Sequence, residues 1–201
     1  LVLGASGIAR AALLHFPHVR SPEEFLMRAA VVSEFGPFDA IRVQELETPA
    51  AGDGEIVVRT SVAGVNFADA GMVTGAARRK EPPFVPGVEA SGVVESVGVG
   101  VTELSVGQRV VYWNPMPAAF AEFAVVPGWR CVAIPEGVSD EAAVTLMVQG
   151  TTAHYLAMDS APLEAGMNCL VYAAAGGEGH LLVQVLDRAL KHTLEDTVFY
   201  L

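Results

Sequence analysis

The chain has 201 residues, enough for about one full domain and part of a second. Hydrophobic residues make up 52% of it and charged residues 17%, which excludes a disordered chain and points to a packed globular protein. Twelve Lys and Arg stand against 23 Asp and Glu, and a net charge of −11 argues against a nucleic-acid partner, whose phosphates it repels. No run reaches the ~18 apolar residues that cross a bilayer, so no membrane partner is expected. The two cysteines, Cys131 and Cys169, sit in apolar runs as small buried thiols, and a reducing compartment suits them.

Residues 1–26 are Ala/Leu-rich, carry Arg10 and Arg20, and hold no acid before Glu23. They read as an N-terminal extension, disordered or a leader of mitochondrial type; without a leader the location expected is cytoplasmic. The glycine pair Gly4 and Gly7 has no second strand or catalytic Tyr-x-x-x-Lys after it and is set aside. From Met27 the pattern turns strand-like. Residues 28–32 form a short apolar run closed by Gly36-Pro37, residues 41–46 alternate in part and are closed by Pro49, and residues 55–62 are rich in β-branched residues. A short helix is predicted over 66–72, then a loop at Pro82, Pro83, Pro86 and Gly87. Four more strands are predicted at 92–97, 109–113, 120–126 and 131–134. Short strands at close spacing, broken by Gly and Pro, predict a compact all-β body of barrel type over residues 27–138.

After Pro135 the pattern changes, and a second domain is expected over 139–201. Ser139 is a predicted N-cap, Asp140 and Glu141 fill the first turn, and an Ala/Leu/Met-rich helical stretch runs to Ala157. A buried strand is predicted at 168–173, a helix at 179–190, and a second strand at 197–201. Between the first two lies Ala173-Ala174-Ala175-Gly176-Gly177-Glu178-Gly179, a variant of the dinucleotide-binding G-x-G-x-x-G. Small residues let backbone approach a pyrophosphate, and a helix start offers free N–H groups and a positive dipole end. Ala173, Gly176, Gly177 and Gly179 are therefore the expected cofactor-binding positions. Glu178 suits the helix dipole but repels a phosphate. The ribose-reading acid belongs about 20 residues beyond the glycines. Glu195 and Asp196 precede the candidate strand instead of capping it, so the adenosine half of the site is expected to be missing.

Five ordered segments carry a resemblance. Ala63-Gly64-Val65-Asn66-Phe67-Ala68-Asp69, Pro86-Gly87-Val88-Glu89-Ala90-Ser91-Gly92-Val93-Val94, Gly107-Gln108-Arg109-Val110 after Val97-Gly98, Gln149-Gly150-Thr151-Thr152-Ala153, and the glycine turn follow one another over about 160 residues. Together they resemble the zinc-free quinone oxidoreductase (zeta-crystallin-like) branch of the medium-chain dehydrogenase/reductases. Gln108 stands where that family has Asp, and Glu178 where it has Val. The resemblance implies a fold of α/β plus β class, a GroES-like β-barrel followed by a partial Rossmann domain truncated by the end of the chain. It implies NADPH as cofactor and hydride transfer to quinones or other α,β-unsaturated carbonyls, and an enoyl reductase is a close cousin. It also implies Asn66 and Thr152 as catalytic residues, with Asn66 donating to a developing oxyanion and Thr152 beside the nicotinamide. Gln149 and Thr152 join the cofactor set, and Asp69 and Glu89 read as structural. Family members are commonly homodimers or homotetramers.

No metal is expected. Zinc alcohol dehydrogenases of the superfamily place Cys near the position of Asn66 and His-Glu near Val88-Glu89, and catalytic zinc takes about three protein ligands. Asn66 and Val88 supply none, and two cysteines cannot build a four-cysteine lobe. The tyrosines that often line the family's substrate pocket are replaced here by Gly71 and a stretch around Ala76-Ala77. Arg78-Arg79-Lys80 is the basic cluster nearby, either a solvated loop or an attractor for an anionic substrate or the cofactor phosphate. Two readings stay open for the chain itself: an NADPH-dependent quinone reductase, or a catalytically inactive fragment that serves as a binding or decoy subunit.

Overall fold

A computed structural model describes residues 13–15, 26–160, 167, 169–189 and 197–200. Gly4, Gly7, Arg10, Arg20, Glu195 and Asp196 lie outside the described residues. The chain divides into two compact units that meet at Val144 and Thr145.

The first unit is built on a six-stranded antiparallel sheet. Its strands are β1 (Leu13–His15), β4 (Glu55–Gly64), β5 (Glu89–Val97), β6 (Arg109–Trp113) and β8 (Cys131–Ala133), in the order β1-β4-β5-β6-β8, with β7 (Phe123–Pro127) also paired to β4. Strand β1 lies inside the stretch that the sequence assigns to an extension, and it pairs with the C-terminal end of β4. Strand β4 slips register at Val57/Val58 and at Thr60/Val62, and such bulges bend a sheet and raise its twist. A separate antiparallel pair, β2 (Leu26–Val32) with β3 (Ile41–Glu47), ties to this body through Ala29 against Ala121 and Val32 against Phe84.

The strand expected at 120–126 forms only from Phe123. Ahead of it, Ala30 N–H donates to the Phe120 carbonyl and Glu122 N–H to the Arg28 carbonyl, so residues 120–122 serve β2 instead. The Glu122 carboxylate fixes this crossing. It accepts from Arg28 N–H at 2.7 Å and from Arg28 Nε at 2.8 Å. The sheet and hairpin close over Ile56, Val58, Val94, Val110, Tyr112, Phe120 and Val126. Gly87, at φ +93, is held against the ring of Phe120, where a β-carbon would overlap the ring.

Helix α1 (Phe67–Thr74) follows β4 and buries Met72 and Val73 against Val32, Phe84 and Val88. The substituted Gln108 has its own local task, accepting the Ser105 N–H through Oε1 at 3.1 Å. Beside it, Arg109 reaches the Asp140 carboxylate at 2.5 Å and the Val138 carbonyl at 2.8 Å, and so holds the start of α2 (Asp140–Thr145) against β6.

In the second unit the predicted long helix is present but not uniform. Helix α3 (Thr151–Tyr155) lies between two wide π-helical turns, Leu146–Gly150 and Leu156–Ser160. The Thr151 hydroxyl donates to the Met147 carbonyl and the Thr152 hydroxyl to the Val148 carbonyl at 2.7 Å. Hydroxyls bonded back into the helix loosen its own ladder, and π turns cluster at functional sites. Strands β9 (Cys169–Tyr172) and β10 (Thr197–Tyr200) pair in parallel, and α4 (Gly177–Ala189) stands between them in the chain. Val171, Leu186 and Ala157 bury together. Strand, glycine turn, helix and parallel strand make the expected βαβ order, but the strand expected to be buried exposes Leu170 and Tyr172 and buries only Val171 among its residues.

Candidate functional site

The site residues predicted from sequence fall into two groups. One group gathers where β4 hands over to α1. Asn66 is the N-cap of α1, with extended backbone at φ −112 and ψ 159. The Asp69 carboxylate returns to the Asn66 N–H through Oδ2 at 2.7 Å, the reciprocal arm of a capping box. The Asn66 side-chain amide donates to Glu89 Oε1 at 2.8 Å. Glu89 opens β5 and is buried, and its carboxylate stands over Gly64, where a β-carbon would overlap it. Gly64 and Glu89, one from each family-like segment, thus meet to fix the Asn66 carboxamide. An amide has two N–H donors, and Glu89 takes one. These bonds tie Asp69 and Glu89 to the turn that carries Asn66.

Asp69 is itself perturbed. Burial pushes its carboxyl up to about 6, against opposing backbone hydrogen bonds from Asn66 and Gly87 and the charge of Arg79. Next to Asn66, Phe67 is 95% exposed.

The other group lies in the second unit. Ala173 adopts φ +51, a left-handed conformation that a side chain resists. Gly176 N–H donates to the Ala173 carbonyl at 2.8 Å, and His180 N–H to the Gly176 carbonyl at 2.9 Å. The N–H groups of Gly177, Glu178 and Gly179 donate to no acceptor among the described residues, which is the state of a helix start open to an anion. Glu178 is exposed and accepts none of these N–H groups. Gly179 is buried, and its Cβ position is filled by the Ala173 carbonyl and the Ala174 backbone. Gly177 faces the Gln149 carboxamide, whose Oε1 is buried without a hydrogen-bond partner among the described residues. Gln149 and Gly177 are thereby brought together as two parts of one cradle.

Thr152 is half-buried, and its hydroxyl proton is committed to Val148, so its oxygen remains as an acceptor. No group of three or more His, Cys, Asp or Glu able to hold a metal occurs among the described residues. No described helix is long and apolar enough to cross a membrane.

Residues 52–162 match the alcohol dehydrogenase GroES-like domain family. The chain is 37% identical over 170 residues to the synaptic vesicle membrane protein VAT-1 homolog of Danio rerio, an alignment covering 83% of this chain and 35% of the relative. It is 35% identical over 168 residues to the 2-haloacrylate reductase of a Burkholderia species, covering 79% of this chain and 49% of that enzyme. Among solved structures, Escherichia coli quinone oxidoreductase complexed with NADPH superposes with a TM-score of 0.77 at 25% identity, over 87% of this chain and 51% of that one. The chain spans between about a third and a half of the length of these curated relatives. A GroES-like body, a βαβ start with its glycine turn, and matching segments through both place the chain in the alcohol dehydrogenase GroES-like domain family of the medium-chain dehydrogenase/reductase superfamily.

Proposed function

We propose that the chain belongs to an NADPH-dependent reductase that delivers hydride to a conjugated carbonyl acceptor, a quinone or an α,β-unsaturated carbonyl compound, without zinc. The observation that carries this reading is the row of unpaired N–H groups at Gly177, Glu178 and Gly179, opening a helix directly after a β-strand. A dinucleotide pyrophosphate suits those donors and the dipole behind them. Ala173, Gly176, Gly177 and Gly179 would hold the diphosphate. Gln149 Oε1 and the Thr152 oxygen, both acceptors, suit amide or hydroxyl groups farther along the dinucleotide. A bound nicotinamide supplies the hydride, and with one proton from water the overall change converts quinone to hydroquinone, or an enone C=C to CH–CH.

Asn66 then acts on the acceptor. Its second N–H points the amide's donor capacity at an oxygen that gains negative charge as hydride arrives, while Glu89 keeps the amide from rotating. Removing one such donor costs about 10²–10³ in kcat where it faces an oxyanion. The tetrad Asn66–Asp69–Glu89–Gly64 supports this role because it orients the amide without using both donors.

The test is a titration of the chain with NADPH, followed by cofactor fluorescence, beside the same titration of Gly179→Ala. A saturable signal in the parent that weakens in the variant is expected. No saturable signal in the parent overturns the reading and leaves a binding or decoy subunit. If NADPH binds, 1,4-naphthoquinone-dependent NADPH oxidation by Asn66→Ala is expected to lose kcat with little change in cofactor affinity.

A further inference from the structure

Nine Lys and Arg fall among the described residues, and three of them are consecutive, Arg78, Arg79 and Lys80. In a chain of net charge −11 this is a local inversion of sign. The loop that carries them is anchored. Gly75 caps α1 in the left-handed conformation at φ +79, and Ala77 N–H donates to the Gly71 carbonyl at 2.9 Å. The Arg78 guanidinium lies 4.8 Å from the centre of the Phe35 ring, so Arg78 holds the loop down. Arg79 and Lys80 are exposed, and none of the three forms an ion pair with a carboxylate among the described residues. Glu81 is the acid adjoining them and leaves the run with a surplus of two positive charges.

The loop folds back along α1, where Ala77 N–H donates to the Gly71 carbonyl, two residues past Asp69. Arg79 acts electrostatically on Asp69, whose carboxylate receives the Asn66 N–H. The ground beneath Asn66 is otherwise acidic, because Asp69 and Glu89 are both buried there. An acceptor with a negative charge would be turned away from such a cluster, and a neutral quinone would need no cation near it. Exposed, unpaired cations beside buried carboxylates reverse the sign of the approach at the one place where an acceptor is proposed to dock.

We propose that Arg79 and Lys80 form an anion-recognition element that selects conjugated acceptors carrying a carboxylate or sulfonate for the Asn66 shelf. This specificity rests on the hydride-transfer reading above. The cations bind the appended anion and take no part in the chemistry. Hydride reaches the conjugated carbon, the proton comes from water, and the carboxylate or sulfonate leaves unchanged.

The matched probes are 9,10-anthraquinone-2-sulfonate and the neutral 2-(hydroxymethyl)-9,10-anthraquinone. Equilibrium dialysis gives affinity without turnover, and NADPH oxidation gives kcat/KM. In the Arg79→Gln/Lys80→Gln double variant, the sulfonate-to-neutral ratio of affinities is expected to fall about tenfold, and the same loss is expected of the parent as salt rises from 0.05 to ~0.5 M. The charge-keeping Arg79→Lys/Lys80→Arg variant is expected to retain the parent ratio. A ratio that is unchanged in the Gln variant, or no sulfonate binding by the parent, overturns the proposal. So does a loss confined to NADPH affinity, which would give the loop to the cofactor phosphate. If the sulfonate preference falls as expected while neither quinone is reduced, anion recognition stands and hydride transfer is what fails.

Discussion

Gly177 and Gly179 sit in the same turn of α4, and alanine at each should behave differently. A β-carbon at Gly179 would lie 2.8 Å from the Ala174 Cα and 2.9 Å from the Ala173 carbonyl carbon. Non-bonded carbons settle at about 3.5–4.0 Å, so the helix start must move by at least ~0.7 Å against backbone. Overpacking of this kind costs about 1–3 kcal/mol. At Gly177 the β-carbon would meet only the tip of the Gln149 side chain, its Cδ at 2.7 Å and its Nε2 at 2.9 Å. A glutamine tip can swing aside, and its buried Oε1 gives up no hydrogen bond in doing so. Both substitutions gain the same alanine helix propensity, so that contribution cancels in the comparison. What remains is a difference of about 2 kcal/mol, or about thirtyfold in the opening equilibrium of α4. Hydrogen exchange read on peptides covering residues 180–186 measures it directly. Equal protection in the two variants would refute the claim that the strand–helix passage at Gly179 is sterically closed to a side chain. Loss of NADPH binding in Gly177→Ala with unchanged exchange would separate the ligand-facing glycine from the packing glycine.

Two further outcomes follow from buried titratable groups. The folded-state pKa of Asp69, about 6, lies above its ordinary 3.8, so the protonated form is the one the fold favours. Its contribution to stability is complete below about pH 4 and is lost as pH rises through about 6, an effect on the order of 3 kcal/mol. Chemical denaturation of the parent and of Asp69→Asn at pH 4 and pH 7 checks this, with the parent expected to lose ground to the variant at pH 7, and a pH-independent difference would contradict it. Cys131 and Cys169, expected as buried thiols, are each only partly buried, and partial burial pushes the Cys131 thiol up to about 12. Iodoacetamide at pH 8 should therefore label Cys131 far more slowly in the native protein than after unfolding; mass spectrometry of the native and denatured protein over time reads the result, and equal rates would contradict it.

How far the sequence speaks depends on how local the cause is. Strands β4, β5 and β6 are legible because β-branched runs such as Ile56-Val57-Val58 bury both faces, and the glycine turn is legible because it follows the apolar β9. The start of β7 is displaced from the expectation because Phe120 and Glu122 pair with β2 through contacts as long as 94 residues in sequence. No periodicity reports a partner at that distance. The π turns around α3 are hidden for a different reason: residues 139–157 carry helical composition throughout, and only the back-bonding of Thr151 and Thr152 marks where the helix widens.

Asn66 shows both limits in one residue. Its place at a helix start is written in the neighbouring Asp69, three residues on, whereas the carboxylate that orients its amide belongs to Glu89, 23 residues away. The sequence thus marks the residue, and only the fold shows that one of its two amide N–H groups is already engaged. That division matters chemically, because a free amide in water would rotate among donors, while an amide held by a buried carboxylate presents the same N–H to every acceptor that docks. Under the proposed reading, the exposed cations of the loop following α1 extend the same logic outward: Asn66 would be a fixed donor for the reacting oxygen, and the surrounding charge would decide which acceptors arrive to meet it.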